Sequence, residues 1–180
     1  MTTTDLTPTT TIRHNTPIGT LTLAATEQGL ATCSFAPPDQ LRARLAHLTG
    51  TDTPAAQAWL DQARTELDSY FAGTLQSFKV PLDLRLTGKF DQSVLSTLTT
   101  VAYGTTTTYG RLTAALNRPP TDARKVGAAL GRNPTVIILP CHRVVGTNNA
   151  LTGYAGGLPA KRRLLDLESN EPQLSLDLTA

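Results

Sequence analysis

Thr108-Tyr109-Gly110-Arg111-Leu112-Thr113-Ala114-Ala115-Leu116, then Asn117-Arg118-Pro119-Pro120, then Thr121-Asp122-Ala123-Arg124-Lys125-Val126-Gly127-Ala128-Ala129-Leu130-Gly131, is the stretch on which the fold turns. Thr108 is placed to cap a helix holding Leu112, Ala115 and Leu116. Asn117 to Pro120 interrupt it, and Thr121 is placed to cap a second helix from Asp122 to Leu130, stopped by Gly131. Two short helices joined by a tight turn make a helix-turn-helix pattern. The second helix carries Arg124 and Lys125 beside the small residues Gly127, Ala128 and Ala129. Small residues suit close approach to a nucleic acid and suit packing on a neighbouring helix equally well.

Downstream, the apolar run Val136-Ile137-Ile138-Leu139 reads as a buried strand leading into Pro140-Cys141-His142-Arg143-Val144. A free thiol has a pKa of roughly 8.5, so an attacking sulfur needs a base, a nearby cation or a helix N-terminus. His142 is a candidate base. Neighbouring strand positions point to opposite faces, so its imidazole reaches the sulfur only through an irregular turn or a water, and Pro140 offers the turn. The other cysteine, Cys33, and the histidines His14 and His47 lack metal-ligand spacing, and no metal or cofactor is expected. Two distant cysteines make no disulfide framework.

With 39% hydrophobic residues in 180, the chain can bury a core of one large or two small domains. No apolar run is long enough to span a membrane and the threonine-rich start has no hydrophobic signal core, so a soluble, cytoplasmic protein without membrane partners is expected. The net charge of +2 is unevenly divided: residues 1–88 hold six Lys or Arg against eight Asp or Glu, residues 89–168 ten against four. The basic excess lies in the segment with the cysteine, where a phosphate footprint would lie.

The first part, residues 1–88, alternates strands and helices. Residues 19–24 and 30–35 flank a turn at Glu27 to Gly29 as a hairpin. Leu41 to Leu48 reads as a short helix, and Thr53-Pro54 as the cap and first turn of a longer one ending at Gly73. Trp59, Ala63, Leu67, Tyr70 and Phe71 recur at helical spacing as a core stripe. Residues 78–88 form a linker, and Val94, Leu95, Leu98 and Val101 share a helical face in the second part, residues 89–168.

Together, Thr108-Tyr109-Gly110, Ala123 to Gly127, Gly131-Arg132-Asn133-Pro134, Pro140 to Val144, Gly153-Tyr154-Ala155-Gly156-Gly157 and Lys161 to Glu168 resemble the O6-alkylguanine-DNA alkyltransferase family. The likeness covers roughly residues 90–168. Tyr70 to Gly73 and Val80 to Asp83 extend it more weakly into the first domain. It implies an α/β protein with a small N-terminal sheet-and-helix, ribonuclease-H-like domain and a C-terminal winged helix-turn-helix-like domain.

The resemblance also implies a chemistry: stoichiometric, irreversible, single-turnover transfer of an alkyl group from O6-alkylguanine, and from O4-alkylthymine, in DNA to Cys141. The alkylated base lies inside the duplex and must be extruded into a pocket. Arg124 would fill its vacated place, and Tyr109 would rotate the nucleotide and donate to the departing base. Thr108, Lys125, Gly127, Ala128 and Arg132 would complete a minor-groove DNA surface. His142 would act as base through a water, Glu168 would orient it, and Asn133 would be the hinge before the cysteine. Val144, Tyr154, Ala155 and Gly156 would line the pocket. Ala155 departs from the serine of some relatives, which bears on pocket size and alkyl preference. The first domain shows no recognisable active residue, and Arg143 is expected in an internal salt bridge.

Two other classes fit parts of the pattern. A non-enzymatic sensor of alkylated bases would recruit other repair proteins, but sensors of this kind replace the acceptor cysteine. A thiol hydrolase would turn over repeatedly on a small acyl substrate. The acidic tail, residues 169–180, contains Gln173-Leu174-Ser175-Leu176-Asp177-Leu178, which looks like a short peptide that docks on bacterial sliding clamps. A monomer is expected in solution.

Overall fold

The computed structural model describes residues 11–48 and 50–169. Three strands, β1 (Thr11–Thr16), β2 (Gly19–Thr26) and β3 (Gly29–Ser34), form an antiparallel sheet in the order β1-β2-β3. The β2–β3 hairpin closes on Glu27-Gln28, with Thr26 opposite Gly29. β1 was not anticipated: its sequence Thr-Ile-Arg-His-Asn-Thr has few apolar residues, and it is fixed by pairing with β2, Thr11 opposite Ala24 through Thr16 opposite Gly19.

Helix α1 (Pro38–Leu45) starts and ends three residues before the expected span, because Pro37-Pro38 favours a helix start. It packs Leu45 with Leu48, Ala24 and Ala31. α2 (Pro54–Phe71) starts as expected, with the Thr53 hydroxyl accepting from the Ala56 amide at 3.1 Å. Its buried residues Ala56, Leu60, Ala63, Leu67 and Tyr70 recur at three- and four-residue spacing and form one stripe in the main core, which also holds Leu21, Leu23 and Leu30 of the sheet. Full burial of a leucine such as Leu67 contributes about 1.5–3 kcal/mol.

The outer edge of β3 does not end at solvent. Leu30 N donates to Pro81 O (2.8 Å) and Asp83 N to Leu30 O (2.9 Å), so the linker runs alongside. Gly29, at φ +146°, permits this approach, since a Cβ there would lie 2.5 Å from Pro81 O. Further along the same edge, Cys33 N donates to Pro134 O (2.8 Å) and Val136 N to Cys33 O (3.0 Å). Backbone pairing therefore docks the second domain on the first and covers an edge that would otherwise be free to pair elsewhere.

That second domain is mostly helical: α3 (Lys89–Thr97), α4 (Tyr109–Ala115), α5 (Ala123–Gly131) and α6 (Gly157–Ser169). Two-residue strands β4 (Thr107–Thr108) and β5 (Val144–Val145) pair in parallel. Thr108 caps α4, accepting from the Arg111 amide at 3.2 Å. Thr121 caps nothing: a single helical turn over Pro120–Asp122 precedes α5, and Asp122 makes ion pairs with Arg118 (2.7 Å) and Lys125 (2.8 Å). Among the described residues no helix is long and apolar enough to cross a membrane.

Candidate active site

The run Val136 to Leu139 is not a strand, which corrects the expectation from its composition. It is a tight loop with Ile137 at φ +75°, a conformation that β-branched residues rarely adopt. Local backbone bonds and the Val136 N bond to Cys33 O hold it there. Leu139 N donates to Thr135 O (2.9 Å), and Cys141 N donates to Leu139 O (2.8 Å) across Pro140 at φ −80°, ψ 61°. That is an inverse γ-turn. Cys141 to Arg143 then form a single helical turn.

Asn133, just after α5, clamps the loop from within. Its Oδ1 accepts from Thr135 N (3.0 Å), which leaves Nδ2 to donate to Leu139 O (2.8 Å) and to Cys141 Sγ (3.2 Å). Burial pushes the Cys141 thiol up, and the Asn133 hydrogen bond and the nearby Lys161 ammonium oppose that. Cys33 is buried and its thiol is pushed strongly up by burial alone. Of the two sulfurs, only Cys141 has groups around it that favour the thiolate.

His142 is fully buried, and its Nε2 lies 2.8 Å from Glu168 Oε1. Glu168 also accepts from Arg143, Nε to Oε2 at 2.8 Å and Nη2 to Oε1 at 2.9 Å, and from Tyr70 Oη to Oε1 at 2.7 Å. Burial works against the Glu168 charge, yet the hydrogen bonds from His142 and Arg143 outweigh it and hold its pKa down to about 2. A charged carboxylate can only accept, so His142 carries its proton on Nε2 and turns the Nδ1 lone pair elsewhere. Nδ1 is buried and bonds to no described protein group. Burial lowers the His142 pKa against the pull of Glu168, so the imidazole is kept neutral, with its Nδ1 lone pair free to accept a proton.

Lys161 of α6 is fully buried, its Nζ donating to Val144 O (2.6 Å) and Thr152 O (2.8 Å). It ties β5 to the loop that carries Tyr154, Ala155 and Gly156. The Tyr154 ring stands edge-on to His142 (6.3 Å) and Phe35 (5.9 Å). Gly156 lies so close to Phe35 that a Cβ would meet the ring at 2.5 Å. Tyr109 is half-buried at the start of α4, with its hydroxyl held by Thr152 Oγ1 at 3.0 Å and its ring against Gly127.

On α5, Arg124 and Ala128 are exposed, and no ion pair forms on Arg124 among the described residues. Lys125 is exposed but shares Asp122, and Arg132 is held by Asp91 through two bonds of 2.7 Å. Cys141, His142, Asn133, Glu168, Val144 and Tyr154 thus lie in one connected site, with Tyr109, Thr108, Gly127 and Arg124 on the adjoining helix pair. The sequence reading gave no site role to Tyr70, Lys161, Phe35 or Thr152. For Tyr70 a signal existed: a tyrosine on a fully buried stripe carries a hydroxyl that needs a partner.

A family model described as 6-O-methylguanine DNA methyltransferase, DNA binding domain, matches residues 89–170, and its ribonuclease-like domain counterpart matches residues 9–84. A methylated-DNA--protein-cysteine methyltransferase of Mycobacterium tuberculosis H37Rv is 42% identical over 168 residues, covering 90% of this chain and 93% of that protein. The chain belongs to this family. A methyltransferase of the same name from Methanosarcina acetivorans is 39% identical over 154 residues, covering 86% of this chain and 94% of that one. Among solved structures, Mycobacterium tuberculosis OGT in complex with DNA superposes with a TM-score of 0.72 at 39% identity, covering 87% of this chain and 91% of that one. In methyltransferase terms, the ribonuclease-like domain of this chain is the sheet with α1 and α2, and its DNA-binding domain holds the Cys141 loop and α3 to α6.

Proposed function

We propose that this protein repairs alkylated DNA by moving the alkyl group of O6-alkylguanine, and of O4-alkylthymine, to Cys141, once per molecule. Family membership makes it a methylated-DNA--protein-cysteine methyltransferase. The observation that carries the choice of residue is the Asn133 hydrogen bond to Cys141 Sγ beside a buried His142–Glu168 pair. In the displacement, the sulfur–carbon bond forms as the carbon–O6 bond breaks, and the electron pair of the broken bond goes to the guanine. The thiol proton passes through a water to His142 Nδ1 and balances the proton that the leaving guanine gains, with Tyr109 donating at the base. The thioether product resists hydrolysis, so the protein is spent.

Duplex DNA would lie on α4 and α5 with α5 in the minor groove, where exposed Arg124 fills the gap left by the extruded base and Gly127 and Ala128 permit close contact. Thr108, Lys125 and Arg132 border that surface. Val144, Tyr154, Ala155 and Gly156 wall the pocket around the flipped base, and Ala155 leaves more room than a serine. The protein works as a cytoplasmic, nucleoid-associated monomer, without a cofactor. The tail peptide Gln173 to Leu178, outside the described residues, docks on a sliding clamp; deleting residues 173–180 and finding clamp affinity unchanged would discard that part.

Mass spectrometry after incubation with an O6-methylguanine duplex tests the main reading. The expected gain is about one methylene per protein, localised to Cys141 and absent in Cys141→Ala. Tight lesion binding without mass gain would favour a sensor, and repeated turnover a hydrolase.

A further inference from the structure

We propose that Tyr70, on α2 of the first domain, is a positioning residue of the alkyl-transfer site that holds Glu168 and through it sets the orientation and basicity of His142. This rests on the relay from Cys141 to His142 and Glu168 proposed above and extends it across the domain boundary. Tyr70 is fully buried, and its hydroxyl donates to Glu168 Oε1 at 2.7 Å. The same oxygen accepts from His142 Nε2 at 2.8 Å, and Tyr70 Oη stands 3.5 Å from that nitrogen. Tyrosine and histidine therefore share one acceptor atom.

Packing alone does not call for the hydroxyl. The ring of Tyr70 already meets Phe71 and Phe78, each 5.4 Å away between centroids, and Tyr103 at 6.1 Å. A phenylalanine would keep all three contacts. A buried hydroxyl that serves no packing purpose and points at a catalytic carboxylate acts on that carboxylate. By drawing charge from Oε1, the Tyr70 hydrogen bond weakens the pull of Glu168 on the imidazole proton, so His142 stays neutral at a lower pH. The other groups facing this pair are Arg143 on the histidine's own turn, Lys161 of α6, Tyr154 beside the imidazole ring and Tyr103 near Glu168.

The test is the single-turnover rate of methyl transfer from an O6-methylguanine duplex to the full chain, from about pH 5 to about pH 9, for wild type and Tyr70→Phe. The expected result is a rate near neutral pH lowered about three- to tenfold, unchanged duplex affinity, and an acid limb moved up by about half a pH unit or more. An unmoved limb, whether or not the rate falls, would overturn the proposal and reduce Tyr70 to packing. A wild-type protein that transfers no methyl would instead overturn the relay beneath it. Should Tyr70→Phe not fold, site-specific fluorotyrosine at position 70 keeps the ring and strengthens the donor. It is then expected to move the limb to lower pH, and an unmoved limb there overturns the proposal equally.

Discussion

The three-stranded sheet and the Cys141 loop are both buried, but they are held by opposite means. In the sheet, backbone groups satisfy one another along β1, β2 and β3, and side chains such as Leu21, Leu23 and Leu30 contribute only packing. Around Cys141 the backbone forms no continuous ladder, and side chains complete it: Asn133 bonds Leu139 O, Lys161 bonds Val144 O, and Arg143 bonds Val101 O at 2.7 Å. The sheet is therefore tolerant, since one apolar residue can replace another of similar volume. The loop is not, because Asn133, Lys161 and Arg143 each leave a buried partner unpaired when they go.

The sharpest way to break this contrast is Arg143→Ala. It removes three of the hydrogen bonds that hold Glu168 and Val101 and leaves a carboxylate buried with fewer partners. The expected loss is about 3–5 kcal/mol in urea unfolding, with methyl transfer abolished. If the variant keeps near-native stability, the loop is no more demanding than the sheet. Leu67→Ala makes the converse test in the core stripe of α2. A loss of about 2–5 kcal/mol is expected, with a transfer rate close to wild type in the molecules that remain folded. A large fall in the transfer rate of the folded fraction would mean that packing at Leu67, one turn before Tyr70, is also needed to hold the site.

Acid separates the two regions by charge. Glu168 has a folded pKa of about 2 against 4.5 ordinarily, so its contribution is complete above pH 4.5 and is lost as pH falls towards 2. His142 is also depressed, below its ordinary 6.5, so its contribution begins to fall once pH drops below that value. Both act in the same sense. Stability is expected to decline from about pH 6.5 downward, with Glu168 accounting for about 3 kcal/mol by pH 2. In Glu168→Gln the portion below pH 4.5 should flatten, and an unchanged acid profile would show that the pair contributes nothing to the fold.

What the sequence made legible follows the same divide. Turn and cap chemistry were enough for the hairpin and the Thr53 cap, and periodicity for the stripe of α2, where each residue's local preference agrees with its place in the fold. It failed at Val136 to Leu139, because composition cannot tell a buried strand from a buried loop whose hydrogen bonds are made by Asn133. Motif resemblance brought Cys141, His142 and Glu168 together across 28 positions that no periodicity links. Tyr70 stayed hidden, since its stripe explained its burial and its partner lies 98 residues away. Lys161 was hidden for the same reason: a lysine on an amphipathic helix reads as solvated, and only the fold shows carbonyls converging on it.

The smallest expected effect concerns the surface of the second domain between α3 and the end of α5. Asp91 of α3 holds Arg132 through two bonds of 2.7 Å, although the arginine side chain is 57% exposed. The arginine end is solvated although the Asp91 side chain is only 13% exposed, so Asp91→Asn is expected to cost no more than about 1 kcal/mol in urea unfolding. The consequence lies in binding. Arg132 borders the helix pair assigned to DNA, and its charge is neutralised while Asp91 holds it. Releasing it is expected to tighten undamaged-duplex binding a few-fold and to steepen the dependence of log affinity on log salt by about one, the value of one added phosphate contact. The methyl-transfer rate at saturating DNA should not change, since Asp91 touches none of the groups around Cys141. An unaltered salt slope would place Arg132 off the DNA path and leave Arg124 and Lys125 as the cations that α5 brings to the duplex.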